Sequence, residues 1–436
     1  MIYPEYDKNC GWYEVLQKPS EYPPLQGQHN FHTVIIGCGF VGTAAARRLA
    51  ENFPDQPILL LDALKAGQGA SGRNSGFIID LPHKHELEKK DLNYQRKILR
   101  LNQTAINFLE NLVQVHNIDC QWSRAGKYQA AVGRRGKKQL YAYEMLMQRL
   151  GVPYKKLKQA ELKAVLGTAY YHSAIYTPNS ILMQPAALMR GVIDHLPENV
   201  TVTEEVRVIK LLRQKKEFKI ILDSSAEVSC RNIILATNAF TAEFGYMERK
   251  ILPMMTFASW TRPLKKNELE LYQGCSNWGI TPADPMGSTV RMTQDHRILI
   301  RNGHRYAFDY NTPKNILPAI RKRHRKSLQK RFPELANLPF EHTWGGTGSL
   351  SLNHEPFFGE IAPGIYSAGC DQLVGAARGT LTGLMLADLI ANKSTEELVI
   401  ANSIFGSPSK LPPKPVLRLA VPIRLQWNSF ISRNEI

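Results

Sequence analysis

Cysteine is sparse and unpaired in this chain. The six that occur, Cys10, Cys38, Cys120, Cys230, Cys275 and Cys370, form no C-x-x-C pair and read as reduced thiols of a cytoplasmic protein. Long apolar runs are missing too. No stretch of eighteen apolar residues occurs, which excludes a spanning helix by the ordinary criterion. The first residues, Met1 to Phe31, carry Pro4, Asp7, Lys8, Glu14, Pro19, Glu21, Pro23 and Pro24 without an apolar core, so they read as an ordered or semi-ordered arm and not as a secretion signal. Internal repeats and low-complexity tracts are absent as well. Acidic residues are outnumbered, 38 against 55 Lys and Arg, giving a net charge of +17.

An excess of cations invites a nucleic-acid or anionic-membrane reading. Its distribution weakens both. The densest run, Arg321 to Lys326, is flanked by Ile316, Leu317, Ile320, Leu328 and Phe332 at helical spacing, which makes an apolar stripe with a solvated basic face. The tail from Pro408 to Ile436 adds Lys410, Lys414, Arg418, Arg424 and Arg433 among prolines; an extended arm and a second docking element are both open. With 436 residues, 43% hydrophobic and 21% charged, the chain is an ordinary globular protein of about two to three domains.

What is present is concentrated between His32 and Asp62. Val34, Ile35 and Ile36 read as a buried strand. Gly37-Cys38-Gly39-Phe40-Val41-Gly42 then turns into a helix through Ala44, Ala45, Ala46 and Leu49. Gly37 allows the tight turn, Gly39 has no Cβ to block a pyrophosphate, and Gly42 lets helix and strand pack closely. The helix N-terminus offers unpaired N–H groups and the positive end of its dipole to phosphates. A second strand, Ile58 to Leu61, ends at Asp62, placed to accept from a ribose 2′-hydroxyl and to repel a 2′-phosphate.

Downstream, Ala66 to Gly76 is a loop of glycine and small polar residues around Arg73 and Asn74, able to bring its backbone close to a flat ligand. His83-Lys84-His85 reads as surface, and no metal site is expected. Helical periodicity dominates from about Leu87 to Gly151, interrupted by a pair of short strands within Trp122 to Val132. A helix is expected from Leu182 to about His195, then strands ending in Ile233-Ile234-Leu235-Ala236-Thr237-Asn238-Ala239. Strand-rich sequence returns from Ile251 to Tyr306. The segment His342 to Gly346, a strand at Gly364 to Ala368, a loop from Gly369 to Gly379 and a helix Leu381 to Ile390 follow. Cofactor-like elements at the start, middle and end require interleaved domains.

The ordered segments VIIGCGFVGTAAARRLA, LLLDALKAGQGASGRNSGF, NIILATNAF, HRILIRNGHRY, FPELANLPFEHTWGG, IYSAGC and RGTLTGLMLADLI resemble the flavin-dependent amine and amino-acid oxidoreductases related to D-amino-acid oxidase, glycine oxidase and sarcosine oxidase, nearest in flavour to the γ-glutamylputrescine oxidase-like branch. The resemblance spans roughly Tyr22 to Lys393. It implies an α/β fold in which a Rossmann-like FAD-binding domain (31–86, 175–250, 341–400) is interleaved with an α+β substrate domain on an antiparallel sheet (87–174, 251–340), between an arm (1–30) and a basic extension (401–436). It also implies FAD, held by Gly37, Gly39, Phe40, Gly42, Asp62 and Ala63, by Gly69, Ala70, Ser71, Arg73, Asn74 and Ser75 along the flavin, by Val206, Ala236 and Thr237, and by Gly375, Gly379 and Thr380. Ala376-Ala377-Arg378 replaces a usual Gly-His-Gly, and Ala-Thr-Asn replaces Ala-Thr-Gly. Cys370, near this loop, reads as a small buried residue, with a covalent flavin link or redox role as the alternatives.

The reaction implied is hydride transfer to flavin from the carbon beside a neutral amine, giving an imine that hydrolyses. Arg73 and Arg378 are the catalytic candidates. Arg301, His304, Arg305 and Trp344 are the candidates for holding a substrate anion, with oxygen, a quinone or another electron carrier as acceptor. The alternatives are a flavin-dependent tRNA-modifying enzyme and a quinone-linked dehydrogenase at the inner face of a membrane.

Overall fold

The computed structural model describes residues 2–17, 20–82, 91–215, 217–272, 277–313 and 315–436. His83, His85 and Cys275 lie outside them. Two large sheets organise the chain. The first runs Phe357–Ala362, Ile365–Gly369, Glu227–Leu235, Gln28–Ile36, Ile58–Leu61, Val200–Thr203, with a hairpin, Val208–Gln214 and Glu217–Leu222, paired to Glu227–Leu235. From Ile365–Gly369 to Val200–Thr203 the pairing is parallel. Both faces are therefore buried, and the strand sequences show why they are apolar throughout. Ile35, Ile58, Leu60 and Ile234 pack toward the helices, while Val34, Ile36, Leu59, Leu61, Ile233 and Leu235 pack on the opposite side.

The helix Phe40–Asn52 leaves the first strand and is gripped by the final core helix, Gly375–Ile390. Their close contact depends on two residues of the latter that lack side chains, Gly383 most of all. A Cβ on Gly383 would stand 2.2 Å from the Val41 carbonyl oxygen, and one on Gly379 would stand 3.2 Å from Phe40 Cβ.

The second sheet runs Phe340–Leu350, Leu252–Thr261, Ile298–Tyr306, Thr289–Met292, Trp278–Pro282, Lys127–Ala131, Ser173–Thr177, Lys155–Lys158. It is antiparallel except where Trp278–Pro282 meets Lys127–Ala131. The basic helix Ile316–Arg331 covers one face through Ile320 and Leu328. Its polar side is less solvated than the charge run suggested. His324 is buried between Ser259 Oγ (2.7 Å) and the Asn302 carbonyl (3.2 Å), and Arg331 is buried against Tyr171 and the backbone of Ser327 and Glu435.

Two expectations about elements need correction, those at Trp122 to Val132 and at Leu182; the helix Leu92–Val115 and the C-terminal segment gain detail that the sequence left open. The helix Leu92–Val115 packs Leu101, Ala105, Ile106 and Leu109 into the same cluster as Phe40 and Leu49 of the nucleotide-type unit, because periodicity identifies a helix but not its partner. Between Trp122 and Val132 only Lys127–Ala131 is a strand; Ser123 makes an isolated bridge to Leu182. The helix expected from Leu182 begins at Pro185, and Ile181–Leu182 is a short strand. The C-terminal segment contains the helix Lys414–Ile431, despite Pro422 within it. No helix among the described residues is long and apolar enough to cross a membrane.

Candidate functional site

At the C-terminal edge of the first sheet the glycine turn takes the shape its spacing demands. Gly37 has φ +113°, and a Cβ there would lie 2.5 Å from the Ala236 carbonyl oxygen. A Cβ on Gly42 would lie 1.9 Å from Gly37 O. Gly39 is the helix N-cap and brings no side chain to the helix end; Phe40 N–H donates to Ser71 Oγ at 3.0 Å. Asp62 accepts from Cys38 N–H (2.8 Å) and Leu64 N–H (2.9 Å), and burial pushes its carboxyl up to about 6. Each carboxylate oxygen keeps a lone pair for another donor. A nucleotide diphosphate with a 2′-hydroxyl fits this donor set.

Two residues not anticipated hold the neighbouring loop. Buried Glu204 accepts from Ala66 N–H at 2.7 Å and pairs with buried Arg190 at 2.8 Å. Val206 contributes through its backbone, donating to the Asp62 carbonyl, while its side chain sits in the core. At the strand end Ala236 N–H returns to Ile36 O, and Thr237 shares a hydroxyl contact with Thr241. Asn238 has φ +50°. That explains its replacement of the usual glycine, since Asn tolerates the left-handed region better than other side chains do.

Along the next segment, Gly69 caps the short helix Ala70–Arg73, and Asn74 closes the turn onto Ser71 O and Gly76 N–H. Arg73 departs from its expected role. Its guanidinium is consumed by Gln68 O (3.0 Å), Gly345 O (3.1 Å) and the N-terminal arm, through Asp7 O (2.6 Å) and the Asp7 carboxylate (3.4 Å), with Tyr6 stacked beneath it. It fastens the arm. The arm carries more of the site than its proline-rich sequence indicated: Trp12 donates to Asn74 O at 2.8 Å, Tyr13 to Gly67 O, and Trp12 packs edge-on against Trp260 and Trp344. The run Gly11-Trp12-Tyr13 was the available signal.

The loop before Gly375 is strained: Cys370, Gln372 and Leu373 have φ of 57°, 57° and 66°. Strain of this kind, about 1–3 kcal/mol per residue, persists where surroundings over-determine it and clusters at functional sites. Cys370 is buried, and burial raises its thiol well above the usual range, which suits an inert packing role. Arg378 is buried one turn into the helix, and its charge acts on Asp371. Gly379 lies in the helix–helix seam beside Phe40 and Val41, and Thr380 turns its hydroxyl onto Ala376 O. Burial, opposed by Arg378, pushes Asp371 up to about 6. An acid whose folded value exceeds its unfolded value of about 3.9 costs stability as pH rises from about 4 through 6, and not below. Asp371→Asn, which keeps an acceptor for Leu373 N–H (3.1 Å), should therefore raise the melting temperature of the cofactor-free protein by a few degrees at pH 8 and leave it unchanged near pH 4, as thermal melts at the two pH values would show.

The other wall is the second sheet. Ladder register sets Arg301, Ala258 and Trp344 in one row, and Arg291, Leu299 and Trp260 in the next, all on the face turned to the first unit. Trp344 Nε1 donates to Arg73 O at 3.0 Å, which ties that face to the short helix Ala70–Arg73. Arg291, not singled out from sequence, is wholly buried; its Nη1 reaches Gly76 O (2.9 Å) and Met183 O (2.5 Å), while Nε and Nη2 meet no acceptor. Burial pulls its pKa down to about 9 and that of Arg301 to about 10, and no carboxylate pairs with Arg301 among the described residues. Burial and the cations Arg301 and Arg323 hold His304 down to about 3, so its ring is neutral. Arg305 is a correction: Asp309 takes its charge at 2.6 Å.

A phosphate-type helix end and a ribose-type acid at one sheet edge, with a cation-bearing second sheet tied to the neighbouring loop, are features of a dinucleotide-dependent enzyme. Residues 32–389 match the model of the DAO family, FAD dependent oxidoreductase, so the chain belongs to that family and its cofactor is FAD. It is 24% identical over 437 residues to the probable oxidoreductase OrdL of Haemophilus influenzae, covering 97% of this chain and 96% of that one. It is 22% identical to γ-glutamylputrescine oxidoreductase of Escherichia coli, over 84% of this chain and 85% of the relative. Among solved structures, glycine oxidase of Geobacillus kaustophilus superposes with a TM-score of 0.69 at 18% identity, covering 84% of this chain and 96% of that one. L-proline dehydrogenase of P. horikoshii gives 0.68 at 18%, covering 85% and 96%.

Proposed function

We propose that this enzyme oxidises an amino acid, an N-substituted amino acid or a related primary or secondary amine bearing an anionic group. Similarity to γ-glutamylputrescine oxidoreductase and to glycine oxidase supports the amine class. The observation that carries the anion is Arg291, buried with two N–H-bearing atoms unmet, beside Arg301 on the same face. A buried donor without a partner costs about 1–3 kcal/mol, more when charged, and a carboxylate or phosphonate arriving between such forks removes that cost.

In this reading Gly37, Gly39, Phe40, Gly42, Asp62 and Ala63 hold the ADP half of FAD, Gly69 to Ser75 run along its other half, and the start of the helix at Gly375 closes the far end. Bound FAD supplies the two-electron acceptor for the hydride of the C–H bond beside the nitrogen. The chain's own work is positioning. Arg291 and Arg301 fix the anion, the Trp12, Trp260 and Trp344 cluster keeps water from that wall, and neutral His304 adds no competing charge. The imine product is hydrolysed by water to a carbonyl compound and an amine or ammonia.

Anaerobic mixing with a panel of amino acids, N-methyl amino acids, polyamine conjugates and aminophosphonates tests the reading. Flavin bleaching by a member with a free amine and an anionic group, but not by its N-acetyl form, is expected. Failure of every member to bleach a flavin that dithionite does reduce would refute it.

A further inference from the structure

We infer that the C-terminal helix Lys414–Ile431 docks this protein on an anionic lipid bilayer, a property separate from the flavin chemistry. The inner face of the helix is already used: Leu417, Val421 and Leu425 pack with Met254, Tyr306 and Leu411. Its outer face is apolar as well. Val416, Leu419, Ile423, Trp427 and Phe430 are 50%, 71%, 65%, 58% and 59% exposed. Their spacing of three, four, four and three residues puts them on one side of the helix. Single exposed apolar residues are ordinary, but a continuous stripe with an indole and a phenyl ring marks a contact surface.

Charge identifies the occupant. From Gly406 to Asn434 there is no Asp or Glu, while Lys410, Lys414, Arg418, Arg424 and Arg433 all fall there. The next acid, Glu435, is buried and bonded to the backbone of Val132 and Gly133. Beside the helix, Lys322, Lys326 and Lys330 line a groove together with Arg433 and Phe430, so Phe430 belongs to both the stripe and the cationic groove. Aromatic and aliphatic side chains on one face, with cations and no acids in the same segment, are the composition of helices that lie in the bilayer interface. The net charge of +17 adds long-range attraction to phosphate headgroups. A second copy of this chain would instead set these cations against their duplicates.

The full-length holoprotein is sedimented with vesicles of phosphatidylcholine alone or mixed with phosphatidylglycerol. Binding to the anionic vesicles, weakened by salt, is expected. The double variant Ile423→Ser/Trp427→Ser should lower the partition coefficient at least about tenfold, with bound flavin unchanged. Both side chains are more than half exposed, so folding is retained and the flavin spectrum reports it. Protein that stays in the supernatant with both vesicle types would overturn the inference. So would a double variant that binds as well as the parent, since the stripe would then insert nothing. A doubled mass in sedimentation velocity that the double variant abolishes, without vesicle binding, would assign the face to a second copy and overturn it equally.

Discussion

Gly42→Val is expected to yield a folded chain that purifies without colour and binds added FAD at least about a hundredfold more weakly than the parent. The new Cβ would stand 1.9 Å from Gly37 O and 3.3 Å from Ala236 Cβ, both parts of the sheet edge. Neither can yield, so the helix Phe40–Asn52 must move outward and carry its N-terminal N–H groups away from the diphosphate. Overpacking of this kind costs about 1–3 kcal/mol or more, and about 2.7 kcal/mol corresponds to a hundredfold loss. Gly133→Ala is the control, because its Cβ would meet nothing nearer than 3.7 Å and it lies at the start of a different helix. Titration of cofactor-stripped protein with FAD, followed by flavin fluorescence, gives both affinities. Equal affinities for Gly42→Val and Gly133→Ala would mean that the turn does not position the phosphates.

Arg301→Met should lower kcat/KM for an anionic amine by about 10- to 150-fold, mostly through KM, because a charge-assisted hydrogen bond contributes about 1.5–3 kcal/mol. Methionine fills similar space, and no acidic partner is stranded by the change. Arg305→Met, four residues along the same strand, should alter kcat/KM less than about twofold, since its charge is already matched by Asp309 at 2.6 Å. A drop in melting temperature with KM unchanged would make Arg301 a packing residue. Equal losses for the two variants would remove the distinction on which the substrate wall rests.

The glycine turn, its strand and Asp62 could be read from sequence because every contact that fixes them is local or follows from the parallel strand that must come next. Asn238 became intelligible only with its backbone angle, which no motif states. Arg291 was missed because it borders the site through ladder register: Thr289–Met292 pairs with Ile298–Tyr306, and only that pairing puts Arg291 in the row beside Arg301. Arg73 was over-read for the opposite reason. A guanidinium in a glycine-rich loop resembles an anion holder until its acceptors are located, and here they are carbonyls and the carboxylate of an arm some sixty residues upstream. The C-terminal helix was obscured by its prolines; Pro415 sits in its first turn, where a missing N–H costs nothing, and Pro422 is carried in its interior.

The central claim is that three separated stretches of chain enclose one FAD, and the absorption spectrum of the purified protein with its chromophore released by denaturation tests it most directly. One FAD per chain, released intact or bound on adding FAD to the stripped protein, is the expected result. A folded protein that is colourless and takes up no FAD would contradict it.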